Sequence, residues 1–320
     1  MDQVPVEPHA FDNLGGKPRA VSPRDSLIGG VSAPQYTFKP VHPRVVTLPY
    51  YFQGKRPACG AHAGTSYKVF LSRNDGTNPN EDDTPRAAWI NIKRDGSSPS
   101  DGTSMDRIFA ALQTYNAVPF SLLGNDVTYD DADYAAAKFL TQAMEVAQPT
   151  AKTAGYAYLT DISFNGIKQA IDNFGAVLLL VHANAQMWTA PNGQTSWAES
   201  DVLPLRPPTA EYPVVDGHFL LADHYDETYI YGPNSFSQKW GRNGDFYFGE
   251  DYASQIIEAG IAHNPPTPVV VQTSPTLAQI QQAQQIIQGV KSEPASFTAA
   301  HVSFFEQLLA DAERLLAGNK

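Results

Sequence analysis

Gln53-Gly54-Lys55-Arg56-Pro57-Ala58-Cys59-Gly60-Ala61-His62-Ala63 places the chain's single cysteine just past a proline, where a helix is expected to begin. A helix N-terminus presents unpaired N–H groups and the positive end of the macrodipole, and both favour thiolate over thiol. Helical spacing runs from Cys59 to about Ser72. One cysteine excludes an intramolecular disulfide and a cysteine-based zinc cluster, so core packing must hold the fold. The lone thiol is then either structural filler or a reagent.

Outward from this stretch, Asp106 to Gln113 and Asp133 to Val146 also read as helices. A short amphipathic helix, Ile167 to Phe174, runs through Gly175 into Ala176-Val177-Leu178-Leu179-Leu180-Val181, the pattern of a buried strand. His218 to Ala222, Thr228 to Tyr231 and Asp245 to Phe248 are further strand candidates, separated by glycine, asparagine and proline. Helices followed by antiparallel strands predict an α+β protein of two lobes, with a cleft between them as the natural site.

The flanks differ in kind. Residues 1–44 carry Pro5, Pro8, Pro18, Pro23, Pro34, Pro40 and Pro43 and read as an extended arm. Residues 45–263 are globular in composition, and 264–275, opening Asn264-Pro265-Pro266-Thr267-Pro268, are a stiff linker. Residues 276–320 show helical stripes that include Ile280, Ile287, Phe304, Leu308 and Leu315. That tail either folds back on the main domain or serves homo-oligomerisation or an assembly partner.

The 320 residues are 42% hydrophobic and 17% charged, which excludes a disordered or collagenous chain. Twenty-two basic against 33 acidic residues give a net charge of −11 and no segregated basic patch, so no nucleic-acid partner is expected. No apolar run reaches the ~20 residues of a membrane span, and Met1 to Asn13 shows no secretion signal. The expectation is a cytoplasmic or virion-associated protein with no membrane contact.

A nucleophilic thiolate needs a proton-accepting partner. Of eight histidines, His9 and His42 fall in the arm, and His263 and His301 at the connector and tail, where surface roles are the default. His182 and His224 read as structural. His62, three residues after Cys59, can approach the sulfur or form half of a metal site, but lacks a second ligand pair. His218 opens the apolar run Phe219-Leu220-Leu221-Ala222, and a polar residue entering a buried strand needs a reason. Asn234 follows 16 residues later, where a hairpin would set it beside His218. Its amide oxygen is expected to accept the imidazole Nδ1–H, leaving Nε2 toward the sulfur.

Gln53 six residues before a helix-opening Cys59, Gly217-His218 leading an apolar strand, Asn234-Ser235, and Trp240-Gly241-Arg242-Asn243-Gly244-Asp245-Phe246 occur in this order. In that order and spacing the chain resembles the papain-like cysteine peptidases across 45–263. The resemblance implies a helical lobe carrying the cysteine and an antiparallel β-barrel-like lobe carrying the histidine and asparagine. It implies Cys59 as nucleophile, His218 as general base and acid, Asn234 as its orienter, and Gln53 with the Cys59 N–H as oxyanion donors. No metal or organic cofactor is implied, and the substrate would be a polypeptide, cleaved at a peptide or isopeptide bond through an acyl-enzyme.

Three departures stand out. Gly60 follows the nucleophile where the family usually has Trp, which would leave a groove wall open. Phe219 replaces a small residue after the histidine, which would narrow or reorient the site. Phe236 stands where an indole normally shields the Asn–His contact. By resemblance Gly102-Thr103-Ser104 and Gln186-Met187-Trp188 border the cleft, and the proline-rich arm is a candidate inhibitory segment. The alternatives are a catalytically silent papain-like scaffold in a viral or other assembly, and a Cys-His amidase or transferase acting on cell-wall peptides.

Overall fold

The structure is a computed structural model and describes residues 16–18, 27–28, 39–54, 56–76, 82–125, 130–141, 144, 153, 155–184, 204–211, 213–236 and 238–263. The proposed linker, the helical tail and Gln186-Met187-Trp188 lie outside these residues.

Helix α1 (Cys59–Asn74) begins at the cysteine and is buried from Cys59 through Ser72. Its first turn is Cys, Gly, Ala, His and Ala, small enough for neighbours to close in on all sides. Tyr67 ties the helix to the sheet behind it, donating to Ala176 O at 3.0 Å and accepting from Ala262 N at 2.9 Å. Helix α2 (Pro85–Ile92) was not legible as a periodic pattern. It has Pro at N1, and the Thr84 side chain accepts the Arg86 N–H at 3.3 Å. Helix α3 (Met105–Thr114) completes the three main helices of this lobe, with short α4 (Phe120–Leu123) beside it.

The helix expected over 133–146 is interrupted among the described residues. Between 131 and 141 stand α5 (Asp131–Tyr134) and a 3₁₀ turn, Ala137–Phe139, and Met144 is again helical. The Arg86 guanidinium takes the carbonyls of Asp133 and Tyr134, at 3.2 and 3.3 Å, which a continuing helix would need as acceptors.

Helix α6 (Phe164–Phe174) ends where expected, at Gly175 with φ 81°, but starts three residues before Ile167, because Ser163 Oγ caps it on the Gly166 N–H. It leads into the strands. Five of them, β1 (Leu27–Ile28), β2 (Gly155–Leu159), β8 (Ile256–His263), β3 (Val177–Asn184) and β4 (Val214–Ala222), pair in that order. All pairings are antiparallel except β1 with β2. A second sheet holds β5 (His224–Tyr225), β6 (Ile230–Pro233) and β7 (Asp245–Phe248). The strands therefore form two sheets and no closed barrel among the described residues.

The larger sheet is buried on both faces, which is why β3 reads as an unbroken apolar run. Leu178, Leu180, Phe219 and Leu221 face the helices, among Cys59, Phe70, Ile108 and Phe109. Val177, Leu179, Val181, Leu220 and Ala222 face the other way, with α6 and the small sheet. Gly232 of β6 lies against the backbone of β4, where an added Cβ would meet Leu221 O at 1.7 Å. Only glycine permits that approach, and it brings the end of β6 to the side of His218.

Candidate active site

Cys59 occupies the first position of α1 and is fully buried. Its sulfur accepts from the Phe219 backbone N–H, one residue beyond His218. His218, also fully buried, stands on β4 opposite Val181. Its Nε2 lies 2.9 Å from Asn234 Oδ1. That same oxygen accepts the Ser235 backbone N–H at 2.7 Å, which fixes the amide's orientation. An amide oxygen can only accept, so the histidine proton sits on Nε2 and the lone pair on Nδ1.

This reverses the expected tautomer. The expectation placed both residues in one hairpin, but Asn234 follows β6 in the second sheet, and the outer ring nitrogen spans the gap. His218 Nδ1 is buried with no hydrogen-bond partner. Phe236 stacks on the imidazole with centroids 5.1 Å apart, and Trp240 packs edge-on against Phe236 at 5.6 Å. These rings keep water from the His–Asn bond.

Gln53 is buried, and its backbone N–H donates to Ser235 O at 2.9 Å. The Ser235 hydroxyl donates to Gln53 Oε1, and Gln53 Nε2 donates to Arg56 O at 2.7 Å. One amide hydrogen is thereby used and the second is left for another acceptor. Ser235 was quoted in the sequence motif without a role; its adjacency to Asn234 was the available signal.

Gly60 leaves no open wall. A Cβ there would meet Thr103 Cγ2 at 2.5 Å, Ile108 Cδ1 at 2.8 Å and Phe219 Cδ2 at 3.2 Å. The bulk missing after the cysteine is supplied from across the lobes by Phe219, which is itself buried. Gly60→Ala is expected to destabilise the fold by about 1–3 kcal/mol through overpacking, read as a lower urea midpoint with unchanged slope.

The arm reaches this site. Gly16 N–H donates to Gly217 O at 2.9 Å and Lys17 N–H to Thr103 O at 2.8 Å, so the chain bridges the residue before His218 and the helical lobe. An added Cβ on Gly16 would meet Gly217 C and Leu180 Cδ1, each at 2.6 Å. The glycine in a proline-rich segment was the sequence signal for this close crossing. Further on, His42 pairs its backbone with Tyr225, and Arg44 binds Asp223 through Nε at 2.7 Å and Asp245 through Nη2 at 2.8 Å.

Electrostatics follow from this cover. Burial pushes the Cys59 thiol up to about 12, more than the Phe219 and helix N–H groups lower it. Burial likewise pulls His218 down to about 4, against the raising effect of Asn234. Burial thus opposes the thiolate expected from the helix terminus and favours neutral forms of the sulfur and the imidazole. His62 is lowered to about 4 by burial as well. The two buried imidazoles bind fewer protons folded than unfolded, so their contribution to stability is full above about 6.5 and is lost as pH falls toward 4. Chemical denaturation at pH 7 and pH 4.5 should show a loss of about 2 kcal/mol or more, smaller in His62→Phe if that variant folds.

Among the described residues no cluster of three or more His, Cys, Asp or Glu is placed to hold a metal. No helix of the described residues is long and apolar enough to cross a membrane.

Helical lobe, two-faced sheet and the order of elements define the papain-like two-lobed fold. The structure is similar to that of xylellain, a cysteine protease from Xylella fastidiosa, at 16% identity and a TM-score of 0.68, covering 82% of this chain and 100% of that one. It is similar to a procathepsin B from Trypanosoma congolense at 9% identity and a TM-score of 0.59, covering 79% and 86%. A digestive procathepsin L 3 of Tenebrio molitor larval midgut gives 15% identity and a TM-score of 0.55, covering 79% and 77%. No family model and no curated protein sequence matches the chain.

Proposed function

We propose that this chain is a papain-like cysteine peptidase that hydrolyses peptide or isopeptide bonds through an acyl-enzyme at Cys59, and that its own arm closes the site. The observation that carries the reading is the His218 Nε2 to Asn234 Oδ1 bond, with its oxygen oriented by Ser235, on the strand whose next residue, Phe219, gives its N–H to a sulfur at a helix N-terminus. This leaves Nδ1 as the base. It accepts the thiol proton while Sγ bonds to the carbonyl carbon of the scissile bond. The second Gln53 Nε2 hydrogen and the Cys59 N–H meet the resulting oxyanion. As the tetrahedral intermediate collapses, the C–N bond breaks and the amine leaves with the proton from His218. Water then attacks the thioester, giving its proton to Nδ1; the C–S bond breaks, the acid leaves, and Nδ1 returns the proton to the sulfur.

Gln53→Ala should lower kcat about 100-fold with little change in KM, since the donor acts on charge present only in the transition state. Mapping of a thiol-directed acyl probe tests the reading: Cys59 is the expected site, and equal labelling of wild type and Cys59→Ala contradicts it.

Full burial of Cys59 and His218 favours a second reading, a silent scaffold. In that case Cys59 stays unreactive after the arm is displaced.

A further inference from the structure

His62 is a buried imidazole, 1% exposed, that this chemistry leaves without a task. It lies on α1 one turn beyond Cys59, and both ring nitrogens are engaged. Nδ1 is 2.8 Å from Ala58 O, and a carbonyl only accepts, so Nδ1 carries the hydrogen. Nε2 then offers its lone pair, and Asn125 Nδ2 donates to it at 3.3 Å. The same amide nitrogen donates to Phe52 O at 3.1 Å. The Tyr134 hydroxyl donates to Asn125 Oδ1, which sets the orientation of the amide.

The two carbonyls held in this way have a shared property. Ala58 C=O and the Cys59 N–H belong to one planar peptide unit, and Phe52 C=O and the Gln53 N–H to another. Fixing each carbonyl fixes the direction of the N–H behind it. The first of these N–H groups is the backbone oxyanion donor, and the second seats Gln53 on Ser235 O at 2.9 Å.

We infer that His62 and Asn125 form a bracket across the segment 52–59 that sets the two oxyanion donors relative to each other. Both are positioning residues for acyl transfer, and the inference rests on the peptidase reading above. Alkylation of the sulfur by iodoacetamide develops no oxyanion, whereas acylation by a peptidyl ester does. The bracket therefore acts on the second reaction and not on the first.

The test compares both rates in the full chain, each variant and its wild-type reference carrying Gly16→Val to displace the arm, for His62→Phe, His62→Gln, Asn125→Leu and the double variant His62→Phe/Asn125→Leu. Acylation should fall roughly 10- to 100-fold in His62→Phe and in Asn125→Leu, with KM and the alkylation rate within about threefold of wild type. His62→Gln, able to donate to one carbonyl and accept from Asn125, should recover part of the loss, and the double variant should be no worse than the worse single. Acylation unchanged, or both rates falling by one factor, overturns the inference. If His62→Phe does not fold, the half-buried Asn125→Leu carries the comparison. If this Gly16→Val reference is alkylated but never acylated, the peptidase reading fails on its own. Amide hydrogen exchange at Gln53 and Cys59 then decides the bracket: faster at these two positions alone in Asn125→Leu supports it, and wild-type rates overturn it.

Discussion

Cys59→Ala is expected to lower the hydrolysis of a peptide substrate by at least about 10⁴-fold, and His218→Ala by a similar factor, while leaving the fold in place. The sulfur forms the bond to the substrate, and the imidazole moves the proton in both half-reactions, so neither step has a substitute. The two losses should not add: with either partner gone, the residual rate comes from binding and the oxyanion donors, and the double variant should match the worse single. Asn234→Ala should cost less, about 10- to 100-fold, because the ring remains but Nε2–H loses the acceptor that fixes its tautomer. Thermal melts separate chemistry from folding. Deleting one sulfur from a buried site costs about 1–2 kcal/mol, well short of unfolding a domain of this size. Rates unchanged in Cys59→Ala with a wild-type melt would remove the thiol from the reaction altogether.

Removing the arm is expected to speed alkylation of Cys59 by about 100-fold or more at pH 8. With Gly16 across Gly217 the thiol is buried and pushed up to about 12, so very little thiolate is present. Opening the site to water removes the desolvation and lets the α1 N-terminus and the imidazole act on the sulfur. A thiol that titrates below its ordinary value near 9 gains more than ~10³-fold in thiolate at that pH, partly offset by the lower nucleophilicity of a more acidic thiol.

The cut should fall after Pro18, which removes the Gly16 and Lys17 contacts and keeps β1 in the larger sheet. Deleting through residue 44 would also take β1 and Arg44, leaving the fully buried Asp223 carboxylate with His224 Nδ1 at 2.8 Å but without its guanidinium partner, at a cost of about 3–5 kcal/mol. Gly16→Val gives the same test without shortening the chain, since its Cβ would press on the Gly217 backbone, which cannot swing aside as a side chain can. The alkylation midpoint should move from about 12 to below 9 in both variants. A rate and midpoint unaltered in both would show that the arm does not control access.

Much of this was legible in local pattern. The start of α1 at Cys59, the turn at Gly175 and the unbroken run of β3 each follow from residues a few positions apart, where helix spacing, φ preference and burial act directly. The meeting of His218 with Asn234 was legible as well, since only a polar group with a partner tolerates the head of that apolar strand. The order of Gln53, Cys59, His218 and Asn234 carried the two-lobed fold.

What depended on distant contact was not readable. Arg86 ended a helix by taking carbonyls some 47 residues away. The ring nitrogen of His218 that meets Asn234 was set by a gap between two sheets, and the partners of Gly60 and Gly16 by backbones that meet only after folding. The charge state of Cys59 turned on desolvation. A helix terminus is a local feature, but how much water is excluded around it is a sum over every segment that folds against it, and the residues packed with Cys59 come from strands and helices far along the chain.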